Sequence, residues 1–85
     1  MLITSKTPKL DLHGEISSMV EVLVTEFIND HYLQNHSIVR IVHGKSKQIL
    51  KNEVHRVLKK NDKVVQFKLN TWNLGETLVE IVSRN

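Results

Sequence analysis

Cysteine is absent from the 85 residues, proline occurs once and glycine three times. A disulfide-stapled fold and thiolate metal sites are therefore excluded. No collagen-like or linker-like segment is present. The longest purely apolar run is a few residues, far short of the roughly 20 needed to cross a bilayer, so no membrane partner is expected. The start, MLITSKTPK, has no apolar stretch of the kind that marks a secretory signal. Cytoplasm is the default expectation for location.

What is present reads as one globular domain. At 40% hydrophobic and 25% charged residues, the chain can bury a modest core and has room for one active-site cleft. Its net charge of +3 is unevenly spread. Residues 1–37 carry two Lys against five acids, and residues 38–85 carry ten Lys and Arg against four. An anionic partner is to be sought in the second half.

Leu10, Asp11, Leu12 and His13 alternate apolar and polar, as in a half-buried strand. Leu10 and Leu12 point to a core, with Asp11 and His13 on the opposite face. From about Ser17 to Gln34, Val20, Leu23, Phe27 and Ile28 recur at helical spacing, with Ser17 or Ser18 as N-cap and Ser18 with Glu21 as a capping box. Ile38 to Val42 is a short β-branched second strand. A second helix, about Lys47 to Lys60, buries Leu50, Val54, Val57 and Leu58, and Lys47, Lys51, His55 and Lys59 form its opposite stripe. Val65, Phe67 and Leu69 alternate with Gln66 and Lys68 in a third strand, NTWNLGE is a loop, and Thr77 to Val82 is the last strand. The order βαβαββ, with right-handed crossovers, predicts a two-layer α/β sandwich: a four-stranded mixed sheet with both helices on one face. Residues 1–9 read as an N-terminal extension and 10–85 as the domain.

In βα units, ligands collect where the carboxyl ends of parallel strands meet the starts of the following helices. Both His-Gly pairs, His13-Gly14 and His43-Gly44, fall at such ends. Each glycine permits a sharp turn or close approach of a ligand, and each helix start offers N–H groups to a phosphate. The two turns are expected to be close in space. Asp11 and His13, about 7 Å apart along one strand face, can share a metal, a water or a substrate. The imidazole of His13 can accept or donate a proton and so serve in acid–base chemistry. Asp and His at strand ends also cap backbone groups. Lys45 can neutralise a phosphate, and Ser46 can cap the second helix or touch the ligand. His31, His36 and His55 are read as solvated, and no ligand spacing for a multi-His metal cage appears. Trp72 either stacks on a base or covers the core edge, the second reading being preferred.

LDLHG at Leu10–Gly14, IVHGK at Ile41–Lys45 and GETLVEI at Gly75–Ile81 together resemble the Smr (small MutS-related) domain, from Leu10 to Val82. The resemblance implies a βαβαββ fold similar to the C-terminal domain of bacterial translation initiation factor three. It also implies nucleic-acid binding, and in many members a nicking or RNA-cleaving endonuclease. Some members act on DNA recombination intermediates, and others cut messenger RNA on stalled or collided ribosomes. The family's L-D-x-H motif is met by Leu10 to His13, its Asp and His being associated with cleavage. Its H-G-x-G motif is met by His43, Gly44 and Lys45, with Ser46 in place of the last glycine. A serine there is strained if the turn demands a positive φ.

The expectation is an endonuclease that favours RNA over DNA. Asp11, His13 and His43 are the catalytic candidates, with Gly14, Gly44, Lys45, Ser46, Lys47 and Lys51 binding phosphate. No cofactor is required, although a divalent metal is compatible with Asp11. The rival is a nucleic-acid or ribosome-binding module that does not cut.

Overall fold

The computed structural model describes residues 2–46 and 48–84. Six elements follow in the order β1 (Lys9–Asp11), α1 (Ser17–Leu33), β2 (Ile38–Val42), α2 (Gln48–Lys59), β3 (Val64–Asn70) and β4 (Asn73–Ile81). The sheet order is β1-β2-β4-β3, with β1 parallel to β2 and β4 antiparallel to both neighbours. This is the mixed four-stranded α/β fold that the element order predicts.

One core explains why both helices lie on one face. Val20, Val24 and Ile28 of α1 and Leu50, Val54, Val57 and Leu58 of α2 pack with Val39 and Ile41 of β2 and Val79 and Ile81 of β4. The strand residues alternate, so they share one sheet face. Leu12 joins the same cluster, fully buried, just past the end of β1. Arg56 of α2 bonds Glu21 of α1 at 3.0 Å, and Lys60 bonds it at 3.1 Å, across the helix pair.

The expected capping box of Ser18 and Glu21 does not form, because α1 begins at Ser17 and Ser18 is already inside it. Ile16 is the N-cap of α1 and its apolar side chain offers no acceptor, while Glu21, five residues into the helix, lies beyond the N3 position of a capping box and turns toward α2. The other end is closed by a Schellman motif. Asn35, at φ 62°, donates to Tyr32 O, and His36 donates to His31 O.

Two further expectations are corrected along β3 and β4. A register shift between Val64 and Gln66 leaves Val65 outside the ladder and 55% exposed, so Val64 and Phe67 reach the core and Val65 does not. NTWNLGE is not a loop either. Asn70 pairs with Asn73, so only Thr71 and Trp72 leave the ladder, and Glu76 already pairs with Val42 of β2. Asn70 makes the tight turn possible by accepting the Trp72 N–H on its side-chain oxygen at 2.9 Å. Trp72 is 95% exposed at the hairpin tip and covers no core edge.

Candidate functional site

Because β1, β2 and β3 run in one direction and β4 returns, the ends of the first three strands and the start of the fourth lie along one end of the sheet. The LDLHG turn, the HGKS turn and the β3–β4 hairpin therefore share that end.

The first turn is built by hydrogen bonds on either side of His13. Leu12 N–H donates to Val42 O at 2.8 Å, which extends the parallel ladder, and Glu15 N–H donates to Leu12 O at 3.0 Å. The four residues Leu12 to Glu15 form a β-turn whose third position, Gly14, has φ +82°, as a type II turn requires. Asp11 Oδ1 accepts the His13 backbone N–H at 2.9 Å. The carboxylate thus fixes the turn that carries His13. Both side chains are exposed. Among the described residues, no protein group bonds the His13 ring.

At the second turn the histidine is turned inward. His43 and Gly44 both donate their backbone N–H to Gly75 O at 2.9 Å, with Gly44 at φ 92°. These two amides are consequently engaged by the protein and do not face a phosphate. Gly75 is needed for close approach: a Cβ there would lie 3.3 Å from both Lys45 N and Lys45 Cγ. The His43 side chain, 1% exposed, places Nδ1 3.1 Å from Gly44 O and Nε2 2.9 Å from Thr77 Oγ1. A carbonyl only accepts, so Nδ1 carries the proton and Nε2 accepts the Thr77 hydroxyl. The Thr77 oxygen then accepts from His55 Nε2, 2.8 Å away. Two imidazoles are joined through one hydroxyl.

A family model of the Smr domain matches residues 10–83. The chain belongs to the Smr domain family. Among its relatives, the endonuclease MutS2 of Helicobacter pylori is 40% identical over 74 residues, which is 87% of this chain and 10% of that protein. The endonuclease MutS2 of Agathobacter rectalis is 29% identical over 79 residues, 93% of this chain and again 10% of the relative. The chain thus spans about a tenth of the length of the curated relatives it matches. The crystal structure of the Smr domain of Thermus thermophilus MutS2 superposes with a TM-score of 0.85 at 20% identity, covering 89% of this chain and 99% of that one. YdaL, a stand-alone small MutS-related protein from Escherichia coli, superposes with a TM-score of 0.81 at 24% identity, covering 91% and 68%.

Within this Smr domain, Asp11, His13 and Gly14 share the sheet end with Gly44, Lys45 and Ser46, and the last two are exposed. The expected proximity of the turns is thus met at the level of the backbone. The imidazoles nevertheless diverge, His13 outward and His43 inward. Ser46 needs no special backbone: Asn35 is the one non-glycine residue with positive φ among those described. Lys47 lies outside the described residues.

Lys51 and His55 do not sit on the far side of α2. They flank its buried stripe, half-buried themselves, and His55 packs against Phe67 with ring centroids 4.9 Å apart. The expectation that His55 is solvated is therefore corrected. Burial is the main influence lowering the pKa of both His43 and His55, with the Lys51 charge acting in the same direction on each. Both rings are held in the neutral form that the directed hydrogen bonds require. Gly75, Thr77 and His55 are absent from the sequence-derived site. The available signals were the GET triplet and the place of His55 next to Val54, at the margin of the apolar stripe. Among the described residues no group of three or more His, Asp or Glu gathers to hold a metal ion, and no helix is long and apolar enough to cross a membrane.

Proposed function

We propose that this Smr domain binds nucleic acid along the end of its sheet and cuts a phosphodiester there, with RNA favoured over DNA. The observation that carries the reading is the exposed Asp11-x-His13 pair, whose turn is fixed by Asp11 and whose imidazole is left to the solvent side. His13 acts as general base on the ribose 2′-hydroxyl. The oxygen so activated attacks phosphorus, the bond to the 5′ oxygen breaks, and that oxygen takes a proton from water. The products are a 2′,3′-cyclic phosphate and a 5′-hydroxyl. RNA is favoured because it brings its own nucleophile and needs one free base, which is what this end of the sheet offers. Lys45 neutralises charge on the phosphate, and Ser46 donates to it. His43, buried with both ring nitrogens bonded, positions the Gly44–Lys45 segment from beneath.

A parallel assay of structured RNA, single-stranded RNA and branched DNA, with wild type and His13→Ala, tests this. RNA should be cut to cyclic-phosphate ends, and repeating the assay with excess chelator reports whether cleavage depends on a divalent ion. Cleavage confined to DNA, or equal rates for His13→Ala and a Lys6→Ala surface control, would overturn it. The burial of His43 favours a second reading, a domain that binds RNA or the ribosome without cutting, since only one free imidazole reaches the site. In that case no substrate is cut, binding weakens steeply with salt, and His13→Ala leaves affinity unchanged.

A further inference from the structure

The β3–β4 hairpin presents Trp72, the only tryptophan of the chain, at 95% exposure. An indole so placed forgoes burial that would favour the fold, and the turn is built to keep it there. The Asn70 side chain is the brace. Its oxygen accepts the backbone N–H of Trp72 at 2.9 Å, and its amide donates to Glu76 Oε1 at 2.8 Å. Asn70 and Glu76 are both buried, so the turn beneath the ring is held from inside. Lys68 and Leu78, paired across the two strands, line a groove of about 350 Å³ together with Asn70, Trp72 and Leu2. The groove thus offers a flat aromatic surface next to a cation.

The hairpin stands at the same sheet end as the two His-Gly turns. In the order β1-β2-β4-β3, Asp11, Val42 and Glu76 lie level, so Glu76 is two strand spacings, about 10 Å, from the end of β1, and the start of β4 at Asn73 projects three residues, about 10 Å, further along the strand axis. A few nucleotides of a single strand can cover that distance, with one phosphate near His13 and Lys45 and a base at the hairpin. A paired and stacked base has no free face to offer an indole, whereas an unpaired one does.

We infer that Trp72 is a stacking platform for an unpaired base, with Lys68 beside it for the neighbouring phosphate, which makes the ligand of this domain a single-stranded segment. The inference rests on the proposed nucleic-acid reading and specifies the substrate class of the same sheet end.

The test is a binding titration on the His13→Ala background, which removes cleavage, read by intrinsic tryptophan fluorescence and by anisotropy of a labelled strand. The probes are a single-stranded RNA of about 12 nucleotides, within the span such sites cover, and the matched RNA duplex. The single strand should quench the fluorescence. Trp72→Ala should weaken its binding on the order of 10-fold, as loss of base–aromatic stacking does. Trp72→Phe should restore most of the affinity, and the duplex should bind equally to all three. Circular dichroism checks that the variants are folded, as expected for so exposed a residue. Single-strand binding without quenching and without loss in Trp72→Ala overturns the platform and leaves the proposed function standing. Equal losses for single strand and duplex overturn the preference for unpaired bases. Failure of both nucleic acids to bind the parent protein overturns both readings.

Discussion

The two His-Gly turns start from nearly the same local sequence and end with their imidazoles in opposite surroundings. Each ends a strand, each glycine takes a positive φ, and the strands are parallel neighbours. Yet His13 stands in solvent over a turn fixed by Asp11, whereas His43 lies under its turn, bonded through Thr77 to His55. Their strand neighbours account for the difference. Among the described residues no strand pairs with the outer side of β1, which is an edge strand; β2 is central, and its exit is covered by Gly75 and Thr77 of β4. An exposed imidazole can do chemistry, and a buried one can hold geometry.

Substitutions can break this comparison, and the largest expected effect falls on the first turn. His13→Ala should reduce RNA cleavage by about 10²–10⁴-fold, the usual weight of a general base, while its urea midpoint changes little. His43→Ala should behave in the reverse sense. Loss of a buried ring and of its two hydrogen bonds should cost about 2–4 kcal/mol in chemical denaturation, with activity falling only through the loosened loop. If His43→Ala were as stable as wild type, the contrast drawn between the turns would fail.

Thr77→Val should cost about 1–2 kcal/mol, because the His55 N–H and His43 Nε2 lose their shared partner inside the protein. The same pair predicts a pH dependence. Both rings titrate below their ordinary 6.5 in the folded protein, so between the folded and unfolded values the unfolded chain binds more protons. Stability should be full above about pH 6.5 and decline as the pH falls from there toward 4.5, before the carboxylates of Glu21 and Glu53 begin to contribute. His31 is shifted in the same direction and adds to the decline. His55→Gln should therefore flatten the curve without abolishing it, which denaturation at several pH values would show. The smallest effect belongs to Gly14→Ala. Space around the added methyl is open, so only the positive φ is penalised, by about 1 kcal/mol.

Much of the fold was legible because periodicity is a local property. The spacing of Val20 and Ile28, the β-branched run Ile38–Val42 and the apolar stripe of α2 place both helices and the central strand within a residue or two of their observed bounds. The errors fell where a distant partner decided the outcome. Ser18 and Glu21 read as a capping box, but α1 begins before Ser18, and the Glu21 carboxylate pairs instead with Arg56 of α2 and Lys60 just beyond it. Val65 keeps the alternation of its strand, yet a bulge set by pairing with β4 turns it out. Asn and Gly in NTWNLGE suggest a loop, but Glu76 has β2 to pair with and Asn70 closes the turn in two residues.

The candidate site divides in the same way. Asp11, His13, Gly14, Gly44, Lys45 and Ser46 could be read from the chain because each sits beside a strand end, and strand ends are local signals. The sequence by itself determined the family, the element order and the presence of two histidines at neighbouring strand ends. It could not decide which imidazole faces solvent. That depends on β4, more than thirty residues downstream of His43, bringing Gly75 and Thr77 across the end of β2, and on α2 bringing His55 to the same hydroxyl. Burial and hydrogen bonding join residues far apart in the chain, so only the tertiary structure could assign one histidine to the solvent side and the other to the protein interior.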